Sequence, residues 1–512
     1  MPRLPAPVVF ALDHGTGERR LARWLPGVTV DGATRTVDRI LLDTFDGRLH
    51  RRGLTVWMEE GRDATVLRLE EPGVADHTAP LAARRADRLL GADLPDGVLG
   101  DRLRALIEER ALLPQVRVRV RGHSLRICNE DDKTVVRITL DEPSVKVARW
   151  VDIPLGRRVR VNAVLGYDRE MAKAVAALSR RLGQPAPPLA GEALAAAGIS
   201  AEGVSSGVDV ALVAQMRSDE AMAAICRRLA DVVDDHRPGV LADLDPEFLH
   251  DLRVAVRRSR SVLKEMRSVL LAPAVARARV DLKWIQEVTG PTRDLDVLLH
   301  EWPSMVGPVP ASMAADLRPL VELLERERAE AFTVMRRALT SRRFARAWAA
   351  WRELIAEPGF GGPDAARPVG ELAGGRIIAV YRSMVKAGSA IGDGSPPEEL
   401  HELRKRGKEL RYLLELFGVM WPEKLVKPLV TALKGLQDVL GHFQDDEIQV
   451  RELRGLGPAV AAAPGGTDSL IALGFVIDEL TRRQHAARAD FSRRFTDFAS
   501  PDNRRIVHGT FR

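Results

Sequence analysis

The period of the hydrophobic pattern changes once along the chain. Up to about residue 165, short segments rich in β-branched residues alternate with period two, as in VVFAL, TVDRILLDTF, LTVWMEE, QVRVRVRG and TVVRITLDE. This is the pattern of strands that bury one face. Val116, Val118 and Val120 fall on one side of such a strand and Arg117, Arg119 and Arg121 on the other. Asp-Gly and Arg-Gly-His steps punctuate the segments as turns. From about Val208 a helical period takes over and continues through Arg494. Between the two regions lies the breaker-rich run QPAPPLAGEALAAAGISAEGVSSG. The pattern predicts an α+β chain: an antiparallel sheet or barrel domain over residues 1–183, a linker over 184–207, an all-α bundle over 208–495 and a frayed tail over 496–512.

Within the helical region one stretch occurs twice. HDLRVAVRRSRSVLKEM begins at His250 and HELRKRGKELRYLLELF at His401. Cations follow each histidine by three, seven and ten residues: Arg253, Arg257 and Arg260, then Arg404, Lys408 and Arg411. At about 100° per residue these offsets share one helix face with the histidine. A second block repeats at the same 151-residue offset, LKWIQEVTGPTRDLDVL from Leu282 and LKGLQDVLGHFQDDEIQ from Leu433. It aligns Lys283 with Lys434, Gln286 with Gln437 and Asp294 with Asp445. Two half-domains, over about 208–345 and 370–495, are therefore expected to pack as one bundle.

Arginines on an amphipathic helix most often form a solvated face. Here the same offsets recur after the same histidine, while Leu252, Val256, Ser259, Leu263 and Met266 supply a separate core stripe. Stacked like charges cost a few tenths of a kcal/mol per pair, so a repeated ladder points to a compensating anion. Guanidinium forks match phosphate oxygens, and lysine and histidine add donors. Asp245-Pro246-Glu247 and Ser395-Pro396-Pro397-Glu398 read as helix starts. Glu247/His250 and Glu398/His401 also form Glu-x-x-His pairs of the kind found in di-iron bundles, but a dication beside two cation ladders is disfavoured. Asp294, Asp296, Asp445 and Glu447 follow expected helix breaks at Gly290-Pro291 and Gly441-His442 and read as caps, with partnership to the ladder as the alternative.

Composition narrows the classes. The 512 residues are 45% hydrophobic and 29% charged, a soluble balance, and the net charge is only +6 at a pI of about 9.5. Polyanion binding must then come from local clustering. Two cysteines exclude a disulfide framework. The N-terminus lacks a secretory signal pattern, and no run of about 18 apolar residues occurs; a cytoplasmic protein without membrane partners is expected. No Walker A, Gly-x-Gly-x-x-Gly, His-Glu-x-x-His or cysteine-pair zinc signature is present, so no cofactor or metal is expected.

The doubled stretches resemble the CHAD family, the conserved histidine α-helical domain, with its His-x-x-Arg-x-x-x-(Arg/Lys)-x-x-Arg pattern and the Gln/Gly/Asp block that follows in each half. The resemblance implies a two-fold symmetric helical bundle that binds inorganic polyphosphate through its basic face. The implied ligands are His250, Arg253, Arg257, Arg260 and Lys283, with His401, Arg404, Lys408, Arg411 and Lys434. It also implies polyphosphate granules as a location. Gly407, and Glu409 where Arg258 stands, predict a weaker second ladder.

The segment LLDTFDGRLHRRGLTVWMEEGRDATVLRLEE is similar to the CYTH family, and that resemblance implies a triphosphate-tunnel β-barrel over the N-terminal domain. The family's Glu-x-Glu-x-Lys strand is missing from VVFALDHGTGERR, and Trp57 and Glu59 stand where tunnel arginines belong. A catalytically inactive barrel is therefore expected. The function expected is non-enzymatic polyphosphate binding. The alternatives are a CYTH-type metal-dependent triphosphatase and a nucleic-acid binder, the latter disfavoured by an aromatic content of 5%. The sequence carries no signal for oligomeric state.

Overall fold

The computed structural model describes residues 5–13, 15–25, 27–61, 64–82, 87–148, 151–356, 361–392 and 394–512. The chain divides into two compact units, Met1–Ser205 and Ser206–Arg512.

Among the described residues the first unit has nine antiparallel strands: β1 (Val8–Leu12), β2 (Val28–Asp43), β3 (Thr55–Glu60), β4 (Thr65–Glu70), β5 (His77–Leu81), β6 (Leu113–Cys128), β7 (Thr134–Ala148), β8 (Val151–Pro154) and β9 (Arg157–Ala163). Their order is β1-β9-β7-β6-β2-β3-β4-β5, with β8 against β7. The helices are α1 (Glu18–Trp24), α2 (Val98–Ile107), α3 (Asp168–Leu182) and α4 (Leu189–Ala197).

The sheet is open, not the closed barrel that the CYTH resemblance implies; β1 and β5 are its two ends. At the β1 end the Ala186 N–H donates to the Val9 carbonyl at 2.7 Å. Its neighbours Pro185, Pro187 and Pro188 have no N–H to extend that pairing into a closing strand. Val116, Val118 and Val120 are buried together with Leu41, Trp57 and Val145. On the opposite side Arg117 and Arg119 pair with Glu60 and Asp38 at 2.7 and 2.8 Å. Residues 184–207, expected as a linker, contain α4, whose Ala190, Ala193 and Leu194 pack on the valine face. The prolines end at position 188, so this alanine-rich helix starts cleanly after them.

The second unit runs α5 (Ser218–Leu241), α6 (Pro246–Glu265), α7 (Ala272–Val288), α8 (Gly290–Val306), α9 (Ala311–Ala314), α10 (Arg318–Leu339) and α11 (Arg342–Ala356). It continues with α12 (Val369–Gly388), α13 (Pro397–Phe417), α14 (Glu423–Gly455), α15 (Gly457–Ala461), α16 (Gly466–Phe498) and α17 (Pro501–Thr510). One packing scheme is used twice. α6 lies between α5 and α7, α8 packs on α10, and α11 covers α5 and α7. Likewise α13 lies between α12 and α14, α14 packs on α16, and α17 covers α12 and α14. α14 therefore does in one helix what α7 and α8 do in two. Pro291 lacks the N–H that would carry the first helix onward, whereas His442 keeps it. Of the two expected helix breaks, only the one at Gly290-Pro291 forms.

This equivalence makes α17 the counterpart of α11, so residues 496–512 do not form the expected frayed tail. The Ser500 hydroxyl accepts from the Asn503 N–H at 3.3 Å and starts the helix. Phe511 is 1% exposed and lies edge-on to Trp421 at 4.8 Å between ring centroids. Its carbonyl oxygen lies 2.3 Å from where a Cβ on Gly374 would be, so only glycine fits there. Phe511→Ala is expected to destabilise the helical unit by about 3 kcal/mol, read from denaturant unfolding followed by circular dichroism. A loss below about 0.5 kcal/mol would show that the terminal helix contributes nothing.

Candidate anion-binding site

The first ladder helix is fixed at its start by Asp245, whose carboxylate accepts from the N–H groups of Glu247 and Phe248 at 3.0 and 3.2 Å. The second starts at Pro396 without a side-chain cap, and the Ser395 hydroxyl instead accepts from Gly392. Leu252, Val256, Ser259, Leu263 and Met266 are all buried. With that stripe in the core, the histidines and cations are left on the other face. His250, Arg253, Arg257, Arg260, His401, Arg404, Lys408 and Arg411 are half-buried, and Lys283 and Lys434 are exposed.

The ladders meet across the two halves. Burial pushes the Lys408 ammonium down to about 8, helped by Arg404 of its own helix and by Arg257 of the first half. Asp445 opposes that shift and Arg411 adds to it. Arg253 is pushed down to about 10, again chiefly by burial, with Asp294 opposing and Arg257 and Arg293 adding. One Nη of Arg253 donates to the Gln286 carbonyl and the Thr289 hydroxyl at 2.8 and 2.9 Å, which anchors it on α7. Arg260 is lowered by burial, while Glu287 counters and Arg279 reinforces the shift. Glu287 also lies 3.3 Å from the Lys283 ammonium. His401 shares a hydrogen bond with the Gln444 side chain.

The carboxylates after the second block are not caps. Asp445 pairs with Arg404 at 2.9 Å, and its equivalent Asp294 acts on Arg253. Because α14 is continuous and Asp294 sits a full turn inside α8, neither is at a helix end. Asp296 instead takes Arg328 at 2.8 Å. Glu409, read as a weakness of the second ladder, bonds Lys264 of the first half at 2.6 Å. Arg258 reciprocates with Glu415 at 2.7 Å. Sequence reasoning missed Arg279, Arg293 and Gln444. Arg293 and Gln444 already stand opposite each other in the 151-residue alignment, but being unlike residues they do not register as a repeated position.

The CHAD domain family matches residues 224–454, which include all ten ladder residues. These residues form a CHAD domain. Uncharacterized protein Rv2226 of Mycobacterium tuberculosis is 26% identical over 228 residues, 44% of this chain and 42% of its own length, so the chain spans less than half of that relative. The crystal structure of the CHAD domain from the plant Ricinus communis is 25% identical, with a TM-score of 0.48 over 57% of this chain and 94% of that one. PptA from Streptomyces chartreusis is 19% identical, with a TM-score of 0.44 over 55% of this chain and all of that structure.

A half-buried ammonium among three guanidinium groups makes the CHAD domain less stable while it is charged. Below about pH 8 that cost is fully present; it fades as pH rises toward 10.5, where the unfolded lysine also loses its proton. Lys408→Met is therefore expected to stabilise the protein by about 2 kcal/mol at pH 7, with the advantage closing toward pH 10. A variant less stable than the parent at pH 7 would contradict this.

Proposed function

We propose that the CHAD domain binds inorganic polyphosphate along the surface where the two ladders meet, and that the protein is not an enzyme. The observation that carries the reading is the convergence of Arg257 from one half and Arg404, Lys408 and Arg411 from the other, with Asp445 as the opposing carboxylate. Ten residues of helix span about 15 Å, so each ladder from histidine to last cation is longer than a single phosphate. A linear polyanion can engage both ladders at once and release the counterions they hold. The two aspartates then act as stand-ins for phosphate, holding Arg253 and Arg404 in place until the ligand displaces them.

The non-catalytic part of the reading rests on the sheet unit. On its inner face Glu59 lies 3.0 Å from Arg39 and 2.8 Å from Arg68, and Arg68 also holds Asp76 at 2.9 Å. Arg39 and Arg68, two cations that a triphosphate could use, are already neutralised by carboxylates, and electrostatic catalysis of phosphoryl transfer needs such cations free. Among the described residues no helix is long and apolar enough to cross a membrane. A place on cytoplasmic polyphosphate granules belongs to the same proposal.

Titration of the full chain with long-chain polyphosphate tests the reading. Reversing Arg257 and Lys408 together to Glu is expected to weaken binding at least tenfold, and parent affinity should fall linearly with salt on logarithmic axes. Asp445→Asn is expected to strengthen binding several-fold by removing the internal competitor. Unchanged affinity in the double reversal, or equal affinity for duplex DNA, would overturn the ligand assignment. Phosphate release from tripolyphosphate with Mg²⁺ or Mn²⁺ would overturn the non-enzymatic part.

A further inference from the structure

The sheet unit contains a cavity of about 540 Å³ between β1, β9, the chain after β4 and the proline-rich run before α4. Val8, Val9, Val74 and Pro187 form an apolar wall. Glu70, Asp76, Asp141 and Arg160 gather at a polar end. The polar groups there are brought together without being satisfied. The Arg160 nitrogens lie 3.8 Å from Glu70, 3.7 Å from Asp76 and 3.8 Å from Asp141, all beyond hydrogen-bond reach. Asp141 is 9% exposed and has no hydrogen-bond donor among the described residues. Glu70 Oε1 and Arg160 Nε are also buried without a hydrogen-bond partner.

The remaining bonds in the cluster are committed. The other oxygen of Glu70 accepts from the Trp57 indole at 3.1 Å, and Asp76 is held by Arg68 at 2.9 Å. Arg158 also lines the cavity, but both its Nη groups are taken by the Pro187 carbonyl and Glu192. The polar end thus offers one carboxylate, half of another and the Arg160 guanidinium, with the Nε of Arg158 buried beside them. A buried carboxylate without a donor is costly, and burial raises the Asp141 carboxyl above its ordinary range although Arg160 counters it. A plain anion entering here would face Asp141 and Glu70. A plain cation would face Arg160. A molecule that carries both charges a bond or two apart matches both.

The geometry points to a binding site for a small zwitterion, an α-amino acid with an apolar side chain, its ammonium on Asp141 and Glu70 and its carboxylate on Arg160. The side chain lies against the valine and proline wall, as in pockets where a few polar groups orient an otherwise apolar ligand. This site is independent of the polyphosphate reading, since it uses no residue of the CHAD domain.

The test is titration of the full chain with L-valine, L-leucine, L-methionine and L-phenylalanine, singly at millimolar concentration, by thermal shift and calorimetry. At least one is expected to bind saturably and raise the melting temperature. Its amide, which keeps only the ammonium, and the matching carboxylic acid are each expected to bind at least tenfold more weakly. Asp141→Asn should lose binding, and Val74→Trp, which fills the apolar end and leaves every charge in place, should lose it too. No shift with any of the four overturns the proposal and leaves water as the occupant. Equal binding of the amide, or wild-type binding in both variants, overturns it as well.

Discussion

Two ion pairs that exchange partners across the pseudo-two-fold hold the basic faces of the helical unit side by side. Arg258 reaches Glu415 and Lys264 reaches Glu409. The 151-residue offset maps Arg258 onto Glu409 and Lys264 onto Glu415, so both pairs use the same two positions. In a two-fold contact, position i of one half meets position j of the other and the reverse. Had the halves kept identical residues there, both contacts would set like charges together. The first half instead carries cations and the second anions, so each half prefers the other to a copy of itself. Such partly exposed pairs contribute at most about 1 kcal/mol each. Their effect is chiefly on register and choice of partner.

That register has a consequence for the ladders. With α6 and α13 held together, Arg257 comes near enough to Lys408 to disfavour its charge, and the repulsion must be offset elsewhere in the fold. The core stripe of α6 is fully buried, and a second apolar cluster joins Leu298 and Trp302 of α8 to Leu320 of α10 and Val476 and Leu480 of α16. Apolar burial at about 25 cal/mol per Å² easily outweighs a few disfavoured charges. On the proposed function, a bound polyanion would relieve the repulsion that this burial offsets.

Much of this was legible in the chain. The doubled histidine and its cation offsets marked α6 and α13, and the Val-Arg alternation placed Val116, Val118 and Val120 inside the sheet. Long-range partners were not legible. Nothing local in Glu409 says that it faces Lys264, and its departure from the ladder pattern looked like loss rather than an interface. Asp294 and Asp445 followed glycine and so read as caps, but Asp445 lies within a continuous helix because His442 retains the N–H that Pro291 lacks. Breaker-rich composition hid α4, and position at the chain end hid α17, since both depend on surfaces contributed by distant segments. That the sheet stays open was not legible either, since it depends on the distant proline-rich run in which Ala186 meets Val9.

Amine labelling of the full chain near pH 8, with Lys408 followed by mass spectrometry, tests the joint surface most directly. Its lowered ammonium should make Lys408 react readily at that pH, and saturating long-chain polyphosphate should suppress the reaction while the exposed Lys427 stays reactive. Labelling of Lys408 that proceeds unchanged in the presence of bound polyphosphate would contradict the account.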